Sequence, residues 1–300
     1  HCSAWSFEPM ARVALTLGSG GARGYAHIGV IEELLARGHE IVALSGASMG
    51  ALVGGLYATG KLTEFADWCK SLTGFDVLRF LDPSWNAPGA VAADKIMSRC
   101  AEIAGDVEIR DLPIPVTIVA TELLAQREVW LQEGPLIPAI RASIAIPGMI
   151  SPQNINGRVL VDGGLLNPVP IEPTAAADAD LRIAVSLLGQ RERLSPAVAA
   201  DSTAPREDWY DKVLALFGRD SQVAEPKSAE QARDLRVSDV TSLSLDAVQN
   251  LVARYRNAGF PPDLQVTVPI SAARTVDFHR ASELIDLGRQ LAAETFDGRL

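Results

Sequence analysis

The chain has 300 residues, of which 48% are hydrophobic and 21% are charged, and its formal net charge is −10. This composition provides enough apolar side chains for a sizeable core and excludes a largely disordered protein. The acidic balance argues against a nucleic-acid-binding protein, which would show a basic excess, and against tight electrostatic binding to anionic lipid. Hydrophobic docking to a membrane surface stays open.

The first nine residues, HCSAWSFEP, show no periodicity and precede Met10. We interpret residues 1–9 as leader or cloning-derived residues, and we expect residues 10–300 to form a single domain. The three cysteines are widely spaced, so neither a disulfide framework nor a zinc pattern fits them. We therefore expect a cytoplasmic protein.

The first elements alternate between strand and helix. The pattern of residues 10–17 predicts a strand, a glycine-rich loop follows at residues 18–24, and apolar residues at helical spacing predict a helix over residues 26–37. Gly38 would end this helix as a capping glycine.

Residues 41–60 form an uncharged stretch of twenty residues, which is long enough to span a bilayer. Five of them are glycine, however, and each glycine costs a helix about 1 kcal/mol relative to alanine. We therefore expect a buried strand at residues 41–44, a tight turn at residues 45–48 and a buried small-residue helix at residues 49–59. With the preceding elements, this alternation favours a parallel sheet covered by helices.

The rest of the chain contains one segment of different composition. Residues 189–240 are rich in charged residues, Ala, Ser and Pro, and we interpret them as a surface insertion or lid-like segment with a helix at residues 207–217. The remaining predicted elements are strands at residues 115–121, 158–161, 182–188 and 264–268 and helices at residues 245–257 and 278–296.

The segment Gly46-Ala47-Ser48-Met49-Gly50 has the Gly-x-Ser-x-Gly spacing of a serine nucleophile. A nucleophilic serine projects from a tight turn between a strand and a helix, and Gly46 and Gly50 leave room for that turn. The N-terminus of the following helix would favour a developing oxyanion. Because the predicted strand and helix flank the segment, Ser48 is a candidate nucleophile.

The loop at residues 18–24, GSGGARG, allows two interpretations. A dinucleotide site needs glycines at the first, third and sixth positions. Counted from Gly18, the sixth position is Arg23, and counted from Ser19, the first position is not glycine. Consecutive glycine amides at a helix start can instead form an oxyanion hole, to which Arg23 would add positive charge.

A serine nucleophile also needs a base. Asp162 ends a predicted strand and precedes Gly163 and Gly164, which by itself indicates only a turn. His279 is the best histidine for a Ser-Asp-His triad. The other histidines are less suitable: we place His1 in the leader, expect His39 to be exposed and expect His27 to pack locally. An aspartate bonded directly to the serine would also serve in a dry site, so both alternatives stay open at this point.

Together these segments resemble the patatin-like phospholipases, most closely the bacterial group related to the catalytic domain of neuropathy target esterase. The family pattern is a glycine-rich oxyanion loop ending in Arg/Lys-Gly, then Gly-x-Ser-x-Gly, then Asp-Gly-Ala/Gly. These motifs stand here at residues 18–24, 46–50 and 162–164. The segments ARGYAHIGVIEEL, IRASIAIPGMISP and LVDGGLLNPVP also resemble the family, and the likeness covers about residues 12–190.

The resemblance implies an α/β protein with three α/β/α layers around a mainly parallel sheet, and it implies neither a metal nor another cofactor. Ser48 would be the nucleophile and Asp162 its only catalytic partner. The amides of Gly20 and Gly21 would form the oxyanion hole with Ser19 beside them, although many members have glycine in place of Ser19. Supporting roles would fall to Arg23, Gly46, Gly50 and Gly163.

The activity that the resemblance implies is hydrolysis of fatty-acyl esters in phospholipids or lysophospholipids through an acyl-enzyme. Peripheral membrane contact would accompany such a substrate, and no nucleic-acid partner is expected. The alternative is a protein of the same fold that binds lipid or regulates without turnover.

Overall fold

The computed structural model of the protein describes residues 10–81, 90–189 and 237–297. Three features of the sequence analysis lie outside these ranges: residues 1–9, the predicted helix at residues 207–217, and nearly all of the predicted insertion at residues 189–240.

The described residues contain eight strands and eight α-helices. The strands are β1 (Arg12–Leu17), β2 (Glu40–Ala47), β3 (Val116–Glu122), β4 (Arg127–Leu131), β5 (Gln153–Ile155), β6 (Arg158–Asp162), β7 (Leu181–Gly189) and β8 (Leu264–Pro269). The helices are α1 (Ala26–Ala36), α2 (Met49–Ala58), α3 (Leu62–Ser71), α4 (Gly74–Leu81), α5 (Ala90–Ala104), α6 (Leu136–Ser143), α7 (Val237–Gly259) and α8 (Ala281–Asp297).

The strands form one sheet in the order β5-β6-β3-β2-β1-β7-β8, with β4 paired to β3 beside this path. The pairs among β3, β2, β1, β7 and β8 are parallel, whereas β4, β5 and β6 pair antiparallel. Parallel neighbours need a crossover connection, and α1 supplies it between β1 and β2.

Both faces of the sheet are covered. Val13, Leu15 and Leu17 of β1 face the main core, which also contains buried residues of α1, α2, α3 and α8. Ala184 of β7 faces the other side, where it packs with Ala253 of α7. The sheet thus lies between two layers, and the expected three-layer α/β/α arrangement with a mainly parallel sheet is confirmed.

Several predicted boundaries change: the helix predicted at residues 245–257 is α7, which begins at Val237. Two other changes have identifiable reasons. β2 continues to Ala47, because Ser45 pairs with β1 and Ala47 pairs with β3. The predicted turn at residues 45–48 therefore shrinks to Ser48 itself. α8 begins at Ala281, later than predicted, because residues 274–280 form turns, with the Asp277 carboxylate accepting a bond from the Arg274 amide.

The uncharged stretch at residues 41–60 divides between β2 and the ten-residue α2 and is buried in protein. Within the described ranges, none of the helices combines the length and the apolar character needed to cross a bilayer.

Candidate active site

Ser48 is the single residue between the carboxyl end of β2 and the start of α2. Its φ of 55° and ψ of −121° lie outside the regions that residues with a side chain usually adopt, as in the strained elbow of serine hydrolases. A Cβ on Gly46 would lie 2.5 Å from the Gly50 carbonyl carbon, and a Cβ on Gly50 would lie 2.1 Å from the Leu17 carbonyl oxygen. Only glycine at both positions permits this close approach of β1, β2 and α2.

The backbone amide of Ser48 is held by a residue to which the sequence analysis gave no role. Ser143, the last residue of α6, is fully buried. Its hydroxyl accepts a hydrogen bond from the Ser48 amide at 2.8 Å and donates to the Val119 carbonyl oxygen at 2.6 Å. This hydroxyl fixes the strained turn to β3. The family-like segment IRASIAIPGMISP contains Ser143, so a signal was present, but it did not show which atoms the hydroxyl meets.

β3 brings the serine and the aspartate together. β4 pairs with residues 118–122 along one edge of β3, so β2 and β6 share the other edge. On that edge Ala47, which precedes Ser48, pairs with Val119 of β3. Asp162 pairs with Ala120, the next residue of β3. The two side chains, 114 positions apart in sequence, therefore meet where β2 ends and β6 takes its place.

The Ser48 hydroxyl donates a hydrogen bond to Asp162 Oδ2 at 2.6 Å, and the Gly164 amide donates to Asp162 Oδ1 at 2.7 Å. Both side chains are buried. Burial raises the pKa of Asp162 to about 6, although the hydrogen bonds from Ser48 and Gly164 lower it. A carboxyl group with a pKa near neutrality and a direct bond to a hydroxyl is suited to accept and return its proton.

His279 does not stand between these groups, because Ser48 and Asp162 bond directly. It lies exposed in the turn before α8. Partial desolvation lowers its pKa, and the charged groups that also act on this pKa are Asp277, Arg280, Glu283 and Arg274. Among the residues that the structure describes, no cluster of three His, Cys, Asp or Glu side chains could hold a metal ion.

The other two described histidines have structural contacts. His27 is fully buried, burial lowers its pKa to about 4, and its Nε2–H donates to the Gly18 carbonyl oxygen at 2.8 Å. The prediction that His39 is exposed is wrong. His39 is buried and its Nδ1 accepts a bond from the Ala11 amide at 3.3 Å, because the turn after α1 folds back onto the start of β1.

The glycine-rich loop leaves two amides free. The Ser19 amide, expected beside the oxyanion hole, donates to the Pro168 carbonyl oxygen at 2.8 Å, and the Ala22 amide donates to the Thr275 carbonyl oxygen at 2.9 Å. Between them, the amides of Gly20 and Gly21 meet no acceptor among the described residues. Both amides are therefore free to donate to another group.

The segment between β8 and α8 contacts the glycine-rich loop and the residue that follows it. Arg23 is buried, and its Nη1 donates to the Ile270 carbonyl oxygen at 3.1 Å. The Tyr25 ring meets the Phe278 ring edge-on with a centroid distance of 6.1 Å. Arg23 therefore links the loop to the segment between β8 and α8 through its guanidinium group.

Gly163 allows the aspartate turn to pack on β3. A Cβ on Gly163 would lie 2.0 Å from the Val119 carbonyl oxygen. We expect Gly163→Ala to lower the free energy of unfolding by about 3 kcal/mol or more, because backbone must move on one side of the contact. Urea denaturation measures this change. Gly74→Ala is the matched control, since a Cβ there has no neighbour within 4 Å. Equal stabilities for the two variants would contradict the prediction.

Comparisons with known proteins identify a family to which the chain is similar. A family model described as patatin-like phospholipase matches residues 15–175. An uncharacterized NTE family protein of Mycobacterium tuberculosis is 44% identical over 332 residues, which cover 95% of this chain and 91% of that protein. Human patatin-like phospholipase domain-containing protein 6 is 28% identical over 307 residues, which cover 97% of this chain and 21% of the human protein. A crystal structure of VipD from Legionella pneumophila aligns with a TM-score of 0.40 and 15% identity, over 97% of this chain and 77% of that chain, values too low to support an argument.

The residues matched by the family model include the loop at residues 18–24, the elbow at residues 46–50 and Asp162. The same relatives align along nearly the whole chain. The chain therefore belongs to the patatin-like phospholipase family, in the bacterial group related to neuropathy target esterase.

Proposed function

We propose that the protein is a serine acyl hydrolase that releases fatty acids from phospholipids or lysophospholipids. Membership of the patatin-like phospholipase family implies a lipid hydrolase. The observation that most supports the finer proposal is the 2.6 Å hydrogen bond from the Ser48 hydroxyl to the buried Asp162. The amides of Gly20 and Gly21 add the donors that a tetrahedral intermediate needs.

In the first half-reaction, ionised Asp162 accepts the Ser48 proton while Oγ attacks the ester carbonyl carbon. The carbonyl oxygen becomes an oxyanion, which the Gly20 and Gly21 amides and the N-terminus of α2 stabilise. When the intermediate collapses, the ester bond breaks and the leaving alcohol takes the proton from Asp162. The acyl group stays on Ser48.

In the second half-reaction, a water molecule gives a proton to Asp162 as its oxygen attacks the acyl carbon. The bond between the acyl carbon and Ser48 Oγ then breaks, Oγ takes the proton back, and the fatty acid leaves. One carboxylate thus serves as base and acid in both halves, a task for which a pKa near neutrality is suited.

A fluorophosphonate probe and a phospholipid substrate test the proposal together. We expect the probe to form an adduct on the peptide that contains Ser48, and we expect the protein to release fatty acid from a mixed phospholipid preparation. The alternative, a lipid-binding protein without turnover, predicts neither result. Labelling of a different serine, or no hydrolysis of any acyl ester, would rule out the proposal.

The pH dependence of hydrolysis follows from the carboxylate base. Asp162 must be ionised to accept the Ser48 proton, and burial raises its pKa to about 6. We expect kcat/KM to rise with pH through about 6 and to be about tenfold lower at pH 5 than on the plateau. A neutral p-nitrophenyl ester, which does not itself titrate in this range, gives the profile. A flat profile between pH 4.5 and 8 would contradict a buried carboxylate base.

Peripheral contact with a bilayer is the second part of the proposal. Val248, Leu251 and Tyr255 are exposed and share one face of α7, being spaced by three and four residues. Arg256 of the same helix bonds to Glu128 of β4 at 2.9 Å.

Trp130 is an exposed aromatic residue two positions along β4 from Glu128, which forms this ion pair with α7. Tryptophan suits the interface between water and lipid. Because the chain has a net charge of −10, the contact we propose is apolar and the lipid is zwitterionic.

Leu251→Asp tests this surface with phosphatidylcholine vesicles. We expect it to weaken vesicle binding about tenfold or more, because it removes a leucine from the buried area and adds a charge. Hydrolysis of a short-chain monomeric ester should stay unchanged. Leu35→Asp is the matched control, since Leu35 is exposed on α1, across the sheet from α7. Equal sedimentation of both variants with vesicles would contradict the proposed contact.

A further inference from the structure

The side chain of Ser19 has no partner, although it is buried. Only 4% of its surface is exposed, and its Oγ meets no hydrogen-bond partner among the described residues. Its backbone amide already donates to the Pro168 carbonyl oxygen. A buried hydroxyl without a hydrogen bond lowers stability, so such a group in a native structure needs an explanation.

The position of this hydroxyl points to the reaction site. Ser19 packs against Gly164, where an added Cβ would lie 2.5 Å from Ser19 Oγ and 3.0 Å from Asp162 Oδ1. The two oxygens are therefore within about 5.5 Å of each other, and they do not bond directly. A single water molecule can bridge a gap of this size with two hydrogen bonds of ordinary length.

Ser19 lies on the side of the site where Asp162, the proposed base, is located, which we call the base side. The oxyanion is expected at the Gly20 and Gly21 amides, whereas the Ser19 hydroxyl faces the turn that contains Asp162 and Gly164. The base side is where the leaving alcohol departs and where water must arrive in the second half-reaction. A polar atom here is placed to hold that water.

We propose that the Ser19 hydroxyl positions the water that hydrolyses the acyl-enzyme, an inference that rests on the proposed function. The water donates one O–H bond to Asp162 and the other to Ser19 Oγ, which directs its lone pair at the acyl carbon on Ser48. As the new carbon–oxygen bond forms, the first proton passes to Asp162 Oδ2, the carboxylate oxygen that faces Ser48. The bond between the acyl carbon and Ser48 Oγ then breaks, and Oγ takes this proton from Oδ2. Ser19 keeps its own proton throughout.

Ser19→Ala separates the two half-reactions. It removes the hydroxyl and keeps the Cβ that packs against Gly164. With p-nitrophenyl butyrate, we expect the rate of acylation and kcat/KM to stay within about twofold of the wild-type values. We expect the rate of deacylation to fall about tenfold, so that kcat and KM fall together and a burst of p-nitrophenol appears.

Intact-protein mass spectrometry of quenched reactions measures deacylation directly. The fraction of protein that carries a butyryl group should rise in Ser19→Ala, and a fluorophosphonate titration of active sites corrects for any misfolded protein. Ser19→Gly, which also removes the hydroxyl, should behave in the same way and serves if the alanine variant does not fold.

Two results would overturn the inference. If kcat/KM and fluorophosphonate labelling fall as much as kcat, Ser19 acts on the oxyanion or on the fold. If the acylated fraction and kcat are both unchanged, the hydroxyl does not hold the water. A failure of the proposed function itself differs from both results, because the wild-type protein would then show neither fluorophosphonate labelling nor an acyl adduct.

Discussion

Ser48→Ala is expected to lower ester hydrolysis by at least about 10⁴-fold and to abolish labelling by a fluorophosphonate. The change removes the only hydroxyl among the described residues that bonds to Asp162, so no acyl-enzyme can form. What remains is the catalysis that the oxyanion donors give to attack by water. Release of fatty acid from phospholipid, measured alongside labelling, gives both quantities.

The control for this change is Ser151→Ala, because Ser151 is exposed and forms no part of the dyad. It should keep wild-type hydrolysis and labelling. Persistent hydrolysis by the Ser48 variant at more than a few per cent of the wild-type rate would mean that another residue is the nucleophile.

Asp162→Asn is expected to lower hydrolysis by about 10⁴-fold and, at the same time, to stabilise the fold above pH 6. The amide cannot accept the Ser48 proton. Burial raises the pKa of Asp162 from its usual 3.8 to about 6, so the folded protein binds this proton at a higher pH than the unfolded chain does. The stabilising contribution of this carboxyl group is therefore fully present below pH 4 and is lost as the pH rises through about 6.

Asp162→Asn avoids that loss because the amide stays neutral. We expect its free energy of unfolding to exceed the wild-type value by about 2–3 kcal/mol at pH 8 and to match it near pH 4. Urea denaturation at the two pH values measures the difference. Asp178→Asn is a suitable control, since Asp178 is exposed and the same change there should have little effect at either pH. An Asp162 variant that loses stability at pH 8 would contradict the raised pKa.

His279→Ala discriminates the dyad from the triad. A dyad predicts that the variant keeps most of its kcat/KM, because Ser48 donates directly to Asp162. A fall comparable to that of Asp162→Asn would instead require an imidazole in the proton transfer.

Local sequence pattern predicted the elements nearest the site well. β1, α1, β2 and α2 follow one another with short connections and strong periodicity, and their types were predicted correctly. β6 was predicted, but β5 and the turn that joins them as a hairpin were missed. Asn156-Gly157 is a strong hairpin signal, and both residues have positive φ, 52° and 77°.

The helices α3 to α6 were also not predicted. The signal was available for α3, whose buried residues recur at helical spacing. These residues are Leu62, Phe65, Ala66 and Cys69.

The sequence by itself determined which chemical groups the site contains. Glycine spacing around Ser48, the run of glycines after β1 and the Asp-Gly-Gly turn are local features, because each depends on the backbone that a few adjacent residues can adopt. The same local information could not choose between Asp162 and His279 as the partner of Ser48.

Only the tertiary structure decided which of these groups meet. Asp162 reaches Ser48 because β6 replaces β2 along one edge of β3, a register that depends on strand pairing between distant parts of the chain. The same pairing gives the Ser143 hydroxyl its two partners, while the fold pairs the Ser19 amide with Pro168 and leaves the Ser19 hydroxyl without a partner. Hydrogen-bond partners in a buried site are set by contacts far apart in sequence, so no local pattern specifies them.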